Sequence, residues 1–428
     1  MKTKHIIALA VGLTTLPAFG QTYTLDQCQG LALENNRTLK GKQLELLGAQ
    51  QTLQEAFTSF FPKVDAAGFA FRANKSIVET TVSLPVPGVP PIPFAMLENG
   101  KTAMVSAVQP VFAGGQIFYG NRLAKVGVEA QELMLALSEK EVAEKVAQHY
   151  WQIAALKEKL VTISAVESLL SQVHSDVAVA VKAGIVPMND QLRVELQQQE
   201  VASNKLKVNN GLSIGKMALA QLVGVDMMSF DIATAPFAEP DKPAAIYVDP
   251  SQALPMRDEY KLLDKNIRAA ELKKKMELGK HLPSVGIGAS YVYHDFMGPN
   301  SSFGAVFATA SIPISGWWGG SHAVKRENLK IKLTENERLN ASEQLILQIN
   351  LEWNTLLEAY QQIDLAKQSI ASAKENLRLS LDFYKAGTAS LSDLLDAQRL
   401  FQQSNDRYTE AFASYQVQRQ KYLRATGR

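Results

Sequence analysis

Apolar side chains recur at alternating three- and four-residue steps along two long stretches of the chain. The first seam is Val142, Val146, Tyr150, Ile153, Leu156, Leu160, Ile163, Leu170, Val173 and Val177. The second is Ile346, Ile349, Trp353, Leu356, Tyr360, Ile363, Ile370, Leu377, Leu381 and Tyr384, interrupted at Lys367 and Lys374. A sustained 3.5-residue period predicts left-handed coiling of each helix against its neighbours. The helical tracts, 116–182 and 319–385, each run to a glycine. At 1.5 Å per residue each is about 100 Å long, far more than a globular core uses.

Elsewhere the period is two. Val285, Ile287, Ala289, Tyr291 and Tyr293 alternate with Gly286, Gly288, Ser290, Val292 and His294, which predicts a strand with one apolar and one smaller or more polar face. Residues 303–313 return as its partner after the turn at Gly298–Ser302. In the first half 63–80 pairs with 101–112 across Pro85–Pro93, a loop too proline-rich to expect any regular element. Helices are predicted over 25–60 and 251–280, each ending before a proline, Pro62 or Pro283.

Proline separates these regimes. Ten of the seventeen prolines fall within 62–110 and 283–313; residues 314–428 have none, and 111–235 only Pro187. The chain also repeats. Val181-Lys-Ala-Gly-Ile-Val-Pro-Met-Asn-Asp190 aligns with Tyr384-Lys-Ala-Gly-Thr-Ala-Ser-Leu-Ser-Asp393, and Pro110 aligns with Pro313 at the same offset. The organisation read from this is a first repeat over 21–222 (hairpin 63–112), a linker over 223–250 and a second repeat over 251–428 (hairpin 284–313). Each repeat reads as helix, β-hairpin, long helix, turn, helix. Gly184 and Gly387 suit helix C-caps, Pro187 the first turn of the next helix, and Ser390 with Asp393 a capping box.

Four strands of about ten residues have the length that crosses a bilayer at a tilt. Four cannot close a barrel, and an open sheet edge cannot sit in lipid. Self-assembly is therefore expected, and three copies would supply twelve strands. Phe60, Phe61, Phe112, Trp317 and Trp318 fall at the helix–strand junctions, where an interfacial aromatic belt would lie; Tyr291, Tyr293 and Phe303 fall nearer the other end.

Composition narrows the function. Lys2 and Lys4, the apolar run Ile6–Leu16 and Ala18-Phe19-Gly20 read as a secretory signal over 1–20, cleaved before Gln21. Without those two lysines the formal charge of +2 falls to near zero, so nucleic acid is not an expected partner. Cys28 is the only cysteine, which excludes an internal disulfide, and it reads as a small buried helix residue. The six histidines show no metal-ligand spacing; no phosphate loop, dinucleotide fingerprint or recognisable nucleophile–base arrangement appears. Lys273-Lys-Lys275 reads as a solvated helix face. No enzyme activity, cofactor or metal is expected.

The order of elements resembles the TolC-like outer-membrane efflux proteins over essentially the whole mature chain. The resemblance is carried by Tyr23–Asn36, by Gln109-Pro-Val-Phe-Ala-Gly-Gly115 and by Tyr384–Ala397. It implies an α+β membrane protein: a homotrimer with one twelve-stranded β-barrel, four strands per chain, continuous with a long coiled-coil α-helical barrel of twelve helices. It further implies an equatorial belt at 224–250, outer-membrane lipid as surroundings and a large periplasmic portion. The partners implied are a periplasmic adaptor and an inner-membrane pump, for which the trimer is the exit duct in tripartite efflux or type I secretion. The tips Gly184, Ile185, Val186, Asp190, Gly387, Thr388, Ala389 and Ser390 would dock the adaptor. Asp393, Asp396 and, to a lesser degree, Tyr384 would form the pore constriction. The pattern departs at Ala389, where the family's best-known member has an arginine; Arg193 is a candidate substitute cation. The competing reading is a structural or adhesive trimeric coiled coil with a β-barrel anchor, which needs neither lumen nor adaptor.

Overall fold

The computed structural model describes residues 22–428 except 83–89, 91, 97–98, 228–229, 234–236, 238 and 296–299. The expected signal over 1–20, most of the proline-rich loop and part of the turn at 298–302 lie outside the described residues. The first half runs β1 (Thr22–Tyr23), α1 (Leu25–Asn35), α2 (Arg37–Thr58), β2 (Lys63–Arg72), β3 (Val78–Val82), β4 (Ile92–Met96), β5 (Asn99–Ala113), α3 (Gln116–Lys182) and α4 (Met188–Val223). The second runs β6 (Asp231–Ile232), α5 (Pro250–Ala253), α6 (Asp258–Gly279), β7 (Ser284–His294), β8 (Ser301–Ser311), α7 (Gly316–Lys385) and α8 (Leu391–Ala425). Among the described residues no helix is long and apolar enough to cross a membrane.

Three expectations need correction. The helix expected over 25–60 breaks at Asn36, which ends α1 and caps α2. Its Oδ1 accepts from the Thr38 and Leu39 amides at 2.9 and 3.2 Å, and its Nδ2 donates to the Leu222 carbonyl at 2.8 Å. A polar side chain that satisfies orphan amides locally competes with helix continuation. The helix expected over 251–280 is likewise split, because a 3-10 turn at Leu254–Met256 carries Pro255 between α5 and α6. The loop expected to lack regular structure instead contains a ribbon in which Val82 pairs with Ile92 and Thr81 with Pro93. A two-stranded ribbon has only edge strands, where proline is tolerated.

The chain divides into two compact units. One comprises 42–136 and 258–344 and holds an antiparallel sheet in the order β2-β5-β7-β8. The register places Val64 opposite Ala107, Ala107 opposite Ala289, and Ala289 opposite Val306. One face therefore carries Val64, Val105, Ile287, Tyr291 and Val306, all exposed, with Val306 at 88%. Register shifts between Pro110 and Phe112, where proline has no amide to donate to the ladder. Just after, Gly114 at φ +60° turns the chain into α3, and a Cβ there would collide with the Gly279 carbonyl.

The other unit comprises residues up to 41 together with 137–257 and 345–428. Its long helices α3, α4, α7 and α8 pack against one another. Lys205 pairs with Glu167 at 2.6 Å between α4 and α3, Lys159 with Glu410 at 2.5 Å between α3 and α8, and Trp353 meets Tyr422 between α7 and α8. The seams read from the sequence are its core: Val146, Ile153, Val177, Leu356 and Ile363 are essentially inaccessible. Ala233, Phe237 and Asp241 cover part of this layer. Tyr150 donates to the Ala233 carbonyl, Tyr415 to that of Asp241, and Phe237 stacks on Phe412 at 4.4 Å between centroids. Cys28 is fully buried in α1, where burial pushes its thiol up to about 11.

Candidate functional site

The two helix reversals have the same backbone. Gly184 and Gly387 adopt φ of +71° and +73°. The Ile185 amide reaches back to the Ala180 carbonyl and the Thr388 amide to that of Phe383, the closing bond of a Schellman turn. Beyond it the reversals differ in chemistry. At the first, Pro187 is the N-cap itself rather than a first-turn residue and offers no side-chain bond, so Asp190 alone supplies acidic character to the opening turn of α4. Ile185 is 76% exposed there, and Met188 is exposed beside it. At the second, Thr388 bonds back to Phe383, and Ser390 caps α8.

Ser390 and Asp393 form the expected capping box. Ser390 Oγ accepts from the Asp393 amide at 3.2 Å, while Asp393 Oδ2 accepts from the Ser390 amide at 3.0 Å and from its hydroxyl at 2.7 Å. These two bonds hold the Asp393 carboxyl below the usual carboxylate range. Both fall on Oδ2, leaving Oδ1 open. Asp396, one turn on, pairs with Arg399 at 3.2 Å on the helix surface. Arg193 lies near: its Nη1 donates to Ser392 Oγ at 2.8 Å, tying α4 to the first turn of α8.

Tyr384 differs from the two aspartates. It packs on a core shared by both reversals, made of Val173, Val177, Val194, Leu391 and Leu394, with Val186 also against it. Burial pushes its phenol up, and Asp190 and Asp176 add to the effect. Exposed carboxylates thus sit over an apolar plug that joins the two halves of the chain. The sequence did not announce that joint core, because its members come from α3, α4, α7 and α8, far apart in the chain.

In the unit that holds the sheet, the junction aromatics are solvent-exposed, from 40% at Phe60 to 80% at Trp318. Phe57 meets Phe60 at a tilt and Phe61 edge-to-face to form a small cluster, and Trp317 donates to the His281 carbonyl at 2.8 Å. Large apolar rings left in the open with one polar tip engaged suit a water–lipid boundary. Among the described residues no group of three or more His, Cys, Asp or Glu is placed to hold a metal ion.

Residues 258–428 match the family of the outer membrane efflux protein. The fold matches solved outer-membrane proteins at low sequence identity. VceC of Vibrio cholerae is 15% identical with a TM-score of 0.75, covering 94% of this chain and 96% of its own. The CmeC outer membrane channel of Campylobacter jejuni is 16% identical with a TM-score of 0.77, covering 94% and 85%. The open state of the MtrE outer membrane channel of Neisseria gonorrhoeae is 14% identical with a TM-score of 0.73, covering 94% and 88%. No curated protein matches the sequence. The efflux-protein match is thus confined to residues 258–428, while the fold over 94% of the chain is that of these solved outer-membrane channels.

Proposed function

We propose that three copies of this outer-membrane efflux protein close one twelve-stranded barrel, continued by a twelve-helix periplasmic tunnel. The assembly is the exit duct through which an inner-membrane pump, joined by a periplasmic adaptor, exports its cargo in tripartite efflux or type I secretion. The observation that carries this is the sheet. Its two outer strands, β2 and β8, have no further strand partner among the described residues, and one face is apolar and exposed. In lipid both edges must be paired, and pairing β8 of one copy with β2 of the next achieves it.

The twofold repetition of elements follows from the same reading, with each half contributing one long strand pair and one helical reversal. The reversals dock the adaptor. Their apolar first tip and polar second tip offer two unlike surfaces. Asp393 and Asp396 form carboxylate rings at the periplasmic constriction, with Tyr384 as the packing residue beneath them. The adhesive coiled-coil alternative is weaker, because it gives no reason for an efflux-protein domain. The test is topology in intact cells. With Cys28 replaced by Ala, a cysteine at Gly88 should react with an impermeant maleimide and one at Gly387 should not. Labelling at Gly387 but not at Gly88 overturns the orientation.

A further inference from the structure

Among the described residues, the layer α4–α3–α8 is covered on one face, by Ala233, Phe237 and Asp241. On α3, Tyr150, Trp151 and Lys157 point to Ala233, Phe237 and Asp231 respectively. At 100° per residue Gln148, Gln152 and Lys159 lie on the opposite side. There α4 and α8 wall a groove of about 610 Å³ floored by α3. Helix spacing gives its length: from Glu410 to Lys421 along α8 is about 16 Å.

The groove is amphipathic end to end. Ile153, Leu156, Ile214 and Val417 make its apolar wall. The α4 wall is low, because a Cβ at Gly215 would stand 3.2 Å from Ile153 Cγ1 and one at Gly211 would stand 3.6 Å from Leu156. At one end Lys159 and Glu410 neutralise each other at 2.5 Å. At the other stands Lys421, half-buried, with no ion-pair or hydrogen-bond partner among the described residues. An ammonium at the end of an apolar groove suits an anion that brings an apolar body with it.

We propose that this groove is a cargo subsite for anionic amphiphiles, with the apolar body along α3 and the negative head on Lys421. The inference rests on the duct reading above. Residues laid across the conducting side would obstruct it, so Ala233, Phe237 and Asp241 take the outer side and the groove faces the lumen. Each trimer would then carry three such sites on its inner wall.

The probe is naphthalene-2-sulfonate, applied to the full-length trimer in single-channel recordings. Wild type should show discrete current interruptions. Methanesulfonate, which lacks the apolar body, and naphthalene with a trimethylammonium head should give none. Lys421→Gln and the exposed-site variant Ile214→Gln should each bind the probe about tenfold more weakly, judged against their own open current. Equal block in all three proteins overturns the proposal, as does no block in wild type. So does a collapse of Ile214→Gln complexes to monomers, which would place a second copy in the groove. Unitary current without Lys421-dependent interruption brings down this inference alone. No unitary current from folded trimers brings down the duct, and the subsite with it.

Discussion

At the scale of single residues, Asp393 has two demands on one carboxylate. Within the chain, Ser390 holds it ionised: with its folded value depressed, the cap's contribution is complete above the ordinary 3.8 and is lost as pH falls through the lower folded value. In the ring proposed between copies the effect would run the other way, since carboxylates brought together resist joint ionisation and titrate as a set. Block by a trivalent cation separates the two roles. In planar bilayers, Asp393→Asn/Asp396→Asn should weaken block from the periplasmic side by about tenfold. Unchanged block would leave the aspartates as a cap and a surface ion pair. Ser390 with Asp393 was legible in the sequence because a capping box is a local, three-residue signal. Arg193 bonded to Ser392 was not, because nothing in either residue's neighbourhood specifies a partner some 200 positions away.

At the scale of elements, what could be read was what is periodic. Both seams of the long helices, the fully buried Cys28 and the glycine reversals follow from local spacing. Three departures have three causes: Asn36 bonds across the fold to Leu222, Pro255 breaks the helix locally between α5 and α6, and Pro93 is tolerated on the edge of a two-stranded ribbon. Two glycines that look alike in sequence then separate in cost. A Cβ at Gly184 meets open space, so Gly184→Ala pays only for its left-handed backbone, about 1 kcal/mol, and assembled complex should persist. Gly114→Ala adds a backbone collision with Gly279 where β5 enters α3, and folded complex should be largely lost. Heating detergent extracts and measuring the surviving complex compares them. Equal survival would mean that the Gly114 crossing can relax.

At the scale of the whole molecule, the sequence pointed to a sheet that must be completed by other copies. It was silent on the groove of α3, whose lining comes from three helices far apart in the chain. Gly211 and Gly215 on α4 are its visible trace, yet small residues one turn apart ordinarily signal close helix packing alone. Everything proposed for cargo and gate depends on how many chains close the barrel. Among the described residues the four-stranded sheet has two open edges, which in lipid would need partners, and the proposed twelve strands would need three chains. The mass of the complex purified in mild detergent, measured by native mass spectrometry, is the most direct test. Three chains per complex is the predicted result; a well-folded monomer, stable in detergent with β2 and β8 unpaired, contradicts the account.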